Sequence, residues 1–405
     1  MYSKKILPSG LTIVCEDVPY VRSISLGILI KVGSRYELKG QEGISHFIEH
    51  MLFKGTEDLE ALDIAERFDL MGTHVDAFTG KEYTCFYVKM LDTYLPSVLE
   101  LLSEMILKSD FKLENIKKEK EVIVEEIKMY LDTPDEYSID VFIESLFDSH
   151  PLGHSILGLK ETVLNFRRED ILEYFKKFFL PNNTIISLAG NLKGNDVFGL
   201  IEKYFGKWEK KEIDFNISTP VFNFKSDKRE KELEQIHVCI GTKGIPYNDK
   251  DRYKLILLNN ILGGSMSSRL FQEVREKRGL AYSISSLYDS YVDTGVFLVY
   301  AATDKQKLDE LVHVILQEFK DMKNKEVSQK ELHKTKEQVK GNLILGLENT
   351  LNRMIKLLRH EFYMEKYLTM EEIIMEIEKI TTKDIIDFAN KLLLENKLKL
   401  VTVGS

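Results

Sequence analysis

The sequence contains little cysteine. Cys15, Cys85 and Cys239 are its three cysteines in 405 residues, and no two of them form a CxxC pair. Such an odd, widely spaced set argues against a disulfide framework and against a zinc site built from thiolates. A reducing compartment suits this composition, so we expect a cytoplasmic protein.

Long apolar runs are absent as well. No uninterrupted run approaches the roughly 18 apolar residues that a membrane-spanning helix needs. The N-terminal stretch MYSKKILPSGLTIVCEDVPYV has neither an apolar secretory core nor a small-residue cleavage site. We therefore predict neither a membrane segment nor a secretory signal.

The chain has no excess of positive charge. Lys and Arg together number 56 and Asp and Glu 65, which gives a formal net charge of −9. Without a global positive field to attract phosphate backbones, a nucleic-acid partner is disfavoured. Hydrophobic residues at 43% and charged residues at 30% are ordinary for a globular protein. The length suits two domains of about 100 to 200 residues each.

An internal repeat runs through the chain. DILEYFKKFFLPNNTIISLAGN, residues 170–191, aligns without a gap with DIIDFANKLLLENKLKLVTVGS, residues 384–405. Each copy reads as an amphipathic helix, a turn and a strand that ends at glycine. We predict an α+β fold of two homologous modules from an internal duplication, each a mixed or antiparallel sheet covered by helices. The predicted modules are 1–211 and 230–405, joined by a polar linker over 212–229.

A histidine pair marks the candidate site. In GISHFIEHMLFKGT, His46 and His50 lie four residues apart, so on a helix both imidazoles project from one face and can meet one metal ion. Glu49 sits beside that face, where its carboxylate is placed to take a proton from water at the metal rather than to ligate. This H-x-x-E-H pattern is the inverted form of the common zinc-protease motif.

A second helical stretch offers the carboxylate that two histidines lack. Catalytic zinc usually has three protein ligands. In LENIKKEKEVIVEEIKMYL, Glu119 and Glu126 fall on the same face as Ile116 and Ile123, within the apolar stripe. A carboxylate on such a face needs a cation or another partner. This helix is therefore the candidate source of the third ligand.

With these motifs, essentially the whole chain resembles the pitrilysin, insulin-degrading enzyme and mitochondrial processing peptidase family of zinc peptidases, in a short two-module form. The resemblance implies zinc held by His46, His50 and Glu126. It further implies Glu49 as the general base and Glu119 as an acid that supports the site electrostatically. The expected activity is that of a zinc metalloendopeptidase acting on short or unfolded peptides.

The second half carries a further part of the family pattern. In REKRGLAY, Arg275 and Tyr282 are seven residues apart, the spacing of the family's arginine and tyrosine pair. A guanidinium and a phenol are donors suited to a substrate carbonyl and to the oxyanion that forms from it. The preceding LGGSMSSRL resembles the family's glycine-rich loop, which implies a substrate contact at Gly263 and Gly264.

A predicted strand lies between the histidine pair and the helical stretch that carries Glu119 and Glu126. In MGTHVDAFTGKEYTCFYVK, the strand resembles the one that pairs with the substrate backbone in the family. Asp76, Ala77, Phe78 and Thr79 are therefore candidate substrate-binding residues. The family usually has asparagine where this chain has Asp76, so we expect an altered preference near the cleaved bond rather than loss of activity.

The two modules are complementary. In the second one, the three metal positions correspond roughly to Ile256, Asn260 and Asn342, which cannot hold this zinc, and the first lacks the arginine and tyrosine pair. In the family, four such modules enclose a clam-shell chamber. A chain with two modules therefore implies a homodimer with two active sites, each shared between subunits.

Other interpretations remain. The histidines could be a structural pair on a half-buried helix, and Glu119 could belong to a buried ion pair. A different class of function is a non-catalytic peptide-binding or processing-enhancing subunit on the same fold, although such subunits typically lack part of the motif. A hydrolase acting on a non-peptide small molecule is a third reading.

Overall fold

Strands and helices alternate along the chain. The computed structural model describes residues 1–215 and 217–405, and residue 216, within the predicted linker 212–229, lies outside the described residues. The strands are β1 (Tyr2–Ile6), β2 (Thr12–Asp17), β3 (Ser23–Ile30), β4 (His74–Thr79), β5 (Thr84–Leu91), β6 (Thr184–Gly190), β7 (Asp227–Arg229), β8 (Ile236–Lys243), β9 (Ala281–Ser290), β10 (Gly295–Thr303) and β11 (Lys399–Val403).

The helices lie mostly between these strands. They are α1 (Ile44–Met51), α2 (Ala61–Leu70), α3 (Leu95–Leu107), α4 (Leu113–Leu131), α5 (Pro134–Phe147), α6 (Lys160–Asn165), α7 (Arg168–Phe178), α8 (Val197–Phe205), α9 (Arg252–Leu262), α10 (Leu308–Asn324), α11 (Gln329–Gly346), α12 (Thr350–Met364), α13 (Met370–Lys379) and α14 (Thr382–Leu392). In the described part of the chain, none of them has the length and apolar character that crossing a membrane requires.

Two compact units make up the structure, each assembled from three segments. The first contains Met1–Lys128, His154–Ile217 and Gly346–Tyr367, and the second contains Met129–Gly153, Ser218–Leu345 and Leu368–Ser405. These units do not follow the boundaries of the contiguous modules predicted at 1–211 and 230–405. Those boundaries describe the sequence repeat and stay a prediction.

The first unit is built on a six-stranded sheet in the order β1-β2-β6-β3-β5-β4. Its strands pair antiparallel except for β2 and β6, which are parallel. The central strand β3, SISLGILI, is mostly apolar and is buried along almost its whole length, because both faces of the sheet are covered. Strand β4 lies at one edge of this sheet.

Both faces of the first sheet are covered. One face packs into a core cluster with residues of α1, α3, α7 and α8, and the other packs against Met354, Leu357 and Leu358 of α12. Gly27 of β3 allows this close approach, because a Cβ there would lie 2.3 Å from Sδ of Met354. Helix α12 thus belongs to the first unit although it comes late in the sequence.

The second unit repeats the same plan on a five-stranded sheet in the order β7-β11-β8-β10-β9. Its strands are antiparallel apart from the parallel pair β7 and β11. One face packs against α9, α10 and α14, and the other against Val141, Phe142 and Leu146 of α5. The predicted α+β fold, with two homologous sheets covered by helices, is confirmed.

Candidate metal centre

Helix α1 carries the histidine pair, and its start is fixed by a buried carboxylate. Glu37, 2% exposed, accepts hydrogen bonds from the backbone N–H groups of Gly43 at 2.8 Å and Ser45 at 2.9 Å. These amides lie at a helix start, where N–H groups have no partner within the helix. Gly43 has a φ of 93°, which glycine adopts without strain, and a Cβ there would lie 2.6 Å from the carbonyl oxygen of Leu157.

Three side chains in the first unit converge with the geometry of metal ligands. Nε2 of His46 and Nε2 of His50 lie 3.2 Å apart, and the Glu126 oxygens lie 3.7 Å from the former and 3.6 Å from the latter. A tetrahedral zinc with bonds of 2.0–2.1 Å separates its ligand atoms by about 3.3 Å. Two imidazoles and one carboxylate are a usual donor set for catalytic zinc, so the residues present fit this ion.

The two histidines sit in different surroundings. Burial lowers the pKa of His46 to about 3, with the neighbouring His50 adding to the effect, so its imidazole is neutral and can offer a lone pair. For His50, burial acts in the same direction, but hydrogen bonding and charge from Glu119 outweigh it and the pKa is raised. Among the described residues, the buried Nδ1 of His46 has no hydrogen-bond partner.

Glu49 lies beside the candidate metal ligands and is held by strand β4. Its side chain is buried, and Oγ1 of Thr79 donates a hydrogen bond to its Oε2 at 2.5 Å. Burial raises the pKa of Glu49 to about 6, although the Thr79 bond acts to lower it. A carboxylate with such a pKa can both accept and return a proton near neutral pH. Sequence reasoning counted Thr79 as a substrate contact and missed this bond.

Glu119 is tied to the histidine pair and to a lysine. Its Oε1 lies 2.7 Å from Nδ1 of His50, and its Oε2 lies 2.8 Å from Nζ of Lys54. Burial acts to raise its pKa, but the hydrogen bonds from His50 and Lys54 prevail and lower it. Glu119 is therefore a buried ion-pair member that contacts His50, and its role in supporting the site electrostatically stays a prediction. Sequence reasoning missed Lys54, which lies beyond the end of α1, because its pairing with Glu119 depends on how this turn packs against α4.

The four residues predicted as a substrate-binding set lie on the two faces of β4. Ala77 belongs to the core cluster on the α1 side, the face on which Thr79 meets Glu49, and Phe78 belongs to the cluster on the α12 side. Because side chains alternate along a strand, Asp76 shares the face of Phe78, where Tyr87 donates to its Oδ2 at 3.0 Å. A peptide added at this edge would meet Asp76 on the face opposite the metal centre.

Arg275 and Tyr282 come together in the second unit. A π-helical turn, Phe271–Lys277, presents Arg275, whose guanidinium carbon lies 4.4 Å from the Tyr282 ring centre and 4.8 Å from that of Phe271. Stacking between two rings orients the planar guanidinium without using its N–H donors. Tyr282 is 79% exposed.

The glycine pair of the second unit has a packing role. A Cβ on Gly263 would lie 2.5 Å from the backbone nitrogen of Ser286, and one on Gly264 would lie 2.8 Å from Cα of Asn260. These contacts account for glycine at both positions through the close approach of the loop to β9 and α9. A substrate contact at Gly263 and Gly264 stays a prediction.

Family models match both halves of the sequence. Residues 12–160 match the model described as Insulinase (Peptidase family M16), and residues 165–339 match the model described as Peptidase M16 inactive domain. The first of these ranges contains the histidine pair, Glu119 and Glu126. The second contains Arg275 and Tyr282.

Relatives are similar along nearly the whole chain. One from Bacillus subtilis, named "Uncharacterized zinc protease YmxG", is 41% identical over 396 residues, which cover 98% of this chain and 97% of the relative. One from Rickettsia felis, named "Uncharacterized zinc protease", is 38% identical over 387 residues, covering 95% of this chain and 93% of the relative. The predicted zinc cofactor agrees with these names.

Solved structures share the fold. A protease from Helicobacter pylori superposes with a TM-score of 0.93 at 24% identity, covering 100% of this chain and 99% of the other. A Pseudomonas fluorescens structure described as a peptidase M16 inactive domain also gives 0.93, at 20% identity, covering 100% and 98%. At such identities the likeness concerns the fold alone. The family models and the relative that is 41% identical along 98% of the chain establish that it belongs to the insulinase family of peptidases, peptidase family M16.

Proposed function

We propose that the chain is a zinc-dependent endopeptidase in which Glu49 is the general base. The observation that carries the proposal is the convergence of His46, His50 and Glu126 with a protonatable carboxylate directly beside them. The names of the relatives, zinc proteases, support the same chemistry. His46, His50 and Glu126 would hold the ion. When bound, zinc supplies a Lewis acid that makes water acidic near neutral pH and polarises a carbonyl.

The side chains near the proposed metal ligands have separate roles, one in proton transfer and two in stabilising negative charge. Glu49, held by Thr79, takes a proton from the attacking water and later returns it to the departing amine. Arg275 and Tyr282 provide donors for the oxyanion of the tetrahedral intermediate. The stacked guanidinium is suited to this task because its orientation is set before substrate binds.

The substrate class follows from the edge strand. Among the described residues, strand β4 has one neighbour in the sheet, β5, so its other side offers backbone groups to an extended peptide. A chain must be short or unfolded to pair in this way. We propose such peptides as substrates, cleaved within a closed chamber that a homodimer forms from four modules, with Arg275 and Tyr282 of one subunit serving the metal centre of the other.

Cellular location belongs to the same proposal. Cys15, Cys85 and Cys239 are buried and free, which suits a reducing compartment. We propose the cytoplasm. Gly263 and Gly264 complete the proposed substrate contacts, together with Asp76, Ala77, Phe78 and Thr79.

A second candidate function is a non-catalytic, peptide-binding or processing-enhancing subunit. The family model that matches residues 165–339 is described as an inactive domain, which favours such a role for the second half. The first half, however, retains the complete donor set and the adjacent base. The endopeptidase therefore remains the stronger proposal.

The replacement Glu49→Gln tests the proposed function. The amide cannot accept the proton, so cleavage of a quenched fluorescent peptide library should fall by at least about a hundredfold, while zinc content by metal analysis stays equal to that of the parent. Glu125→Gln is the matched control, because Glu125 is an exposed residue of α4 that pairs with Lys128. Parental cleavage by Glu49→Gln would refute the general-base role.

A further inference from the structure

Lys54 occupies the turn that follows α1, four residues beyond His50. Its Nζ lies 2.8 Å from Oε2 of Glu119, while Oε1 of the same carboxylate lies 2.7 Å from Nδ1 of His50. The Glu119 side chain is 3% exposed and that of Lys54 is 35% exposed. One buried carboxylate thus bridges a proposed zinc ligand and an ammonium group that reaches toward solvent.

The backbone of Lys54 also contacts α4, the helix that carries Glu119. Nδ2 of Asn115 donates to the carbonyl oxygen of Lys54 at 2.7 Å, and the Lys54 N–H donates to the carbonyl of Met51 at 3.0 Å. Asn115 and Glu119 are four residues apart on α4, so they lie on one face at successive turns. Lys54 therefore contacts α4 twice, with its backbone carbonyl at Asn115 and with its side-chain ammonium at Glu119.

We propose that Lys54 is a positioning residue of the zinc centre, which acts by holding the Glu119 carboxylate against Nδ1 of His50. An unpaired oxygen on a buried carboxylate is unfavourable. Without the ammonium, Glu119 would turn its Oε2 toward another donor and leave the imidazole. With the ammonium in place, the carboxylate fixes the ring of His50, and Nε2 stays turned toward His46 and Glu126.

The replacement Lys54→Met removes the ammonium and keeps a side chain of similar length. We expect zinc affinity, measured by competition with a chromophoric chelator, to fall about tenfold to a hundredfold, the usual effect of losing an outer partner of a metal-bound histidine. Lys54→Arg should recover most of the affinity, because it restores a cationic donor. Lys108→Met is the matched control, since it removes an exposed ammonium 2.6 Å from Asp58 and should leave zinc affinity at the parental value.

A double variant separates action through Glu119 from an independent effect. If Lys54 acts through that carboxylate, Lys54→Met combined with Glu119→Gln should bind zinc no more weakly than Glu119→Gln alone. Additive losses would overturn the proposal, as would parental zinc affinity in Lys54→Met. So would a loss of zinc affinity in Lys54→Met that Lys54→Arg does not recover, because the proposal requires a cationic donor at this position.

This inference rests on the proposed zinc ligands. A parent chain that bound no zinc would overturn the ligand set, and the role of Lys54 with it. None of these measurements depends on peptide cleavage. A failure of the proposed peptidase activity and a failure of the proposed role of Lys54 would therefore be separate results.

Discussion

Individual side chains outside the candidate ligand set hold the groups of the candidate site in place. Thr79 fixes one oxygen of Glu49, and Glu119 fixes one nitrogen of His50. Each contact joins two elements that are distant in sequence, a strand with a helix or a helix with a helix. The chemistry proposed for this centre therefore depends on the packing of α1 against β4 and α4, as well as on the ligands themselves.

The hydroxyl of Thr79 provides a test at this scale. Thr79→Val removes the hydrogen bond to Glu49 at nearly constant volume, and a hydrogen bond to a charged group is worth about 1.5–3 kcal/mol. We expect kcat to fall about tenfold or more, with little change in KM and no change in zinc content. Thr79→Ser keeps the hydroxyl and should retain most of the activity. A loss confined to KM in Thr79→Val would instead indicate a substrate contact.

Sequence spacing could supply candidate ligands because helix geometry is local. Two histidines four residues apart must share a helix face, and Glu119 and Glu126 are seven apart on another helix, so candidates follow from periodicity alone. The bond from Thr79 to Glu49 does not follow from spacing, because it depends on how a strand packs over a helix. The same limit applies to the pair of Lys54 with Glu119.

Helix α1 depends on a carboxylate that lies ahead of it in the chain. Burial raises the pKa of Glu37 to about 7, against the opposing hydrogen bonds from Ser45 and Gly43. In the unfolded chain this carboxyl has an ordinary pKa of about 4.3. The folded state therefore holds the proton more tightly, and this group makes the protein less stable as the pH rises from about 4.3 to about 7.

This linkage predicts the behaviour of Glu37→Gln. A difference of one between the folded and unfolded pKa corresponds to about 1.4 kcal/mol. As the pH rises from about 4.3 to about 7, Glu37 should therefore lower the free energy of unfolding by on the order of 3 kcal/mol. The difference in unfolding temperature, variant minus parent, should therefore increase between pH 5 and pH 7 in zinc-free protein. Glu57→Gln, at an exposed position, should show no such trend. A constant difference across this range would contradict the raised pKa.

At the scale of the whole molecule, the helices that cover the sheets show what could not be predicted from the sequence. An amphipathic pattern can predict that a helix exists, but its periodicity does not state which sheet the helix covers. In the structure α12 supplies one side of the cluster that contains Val14, Leu29 and Cys85, and α5 packs on the sheet of the second unit. A fragment cut at the predicted linker would lose the helix that covers one face of its sheet and expose that apolar surface to water.

The proposed homodimer makes the sharpest prediction for the whole molecule. Glu49→Gln and Arg275→Ala subunits should each be inactive alone, because each lacks one part of both shared sites. In a heterodimer of the two, one site combines both defects and the other combines both intact parts. Equal mixing with free exchange should therefore restore peptide cleavage to about a quarter of the parental rate. Mixing Glu49→Gln with the double variant Glu49→Gln/Arg275→Ala should restore nothing. No recovery, after subunit exchange has been verified with differently tagged chains, would exclude sites shared between subunits.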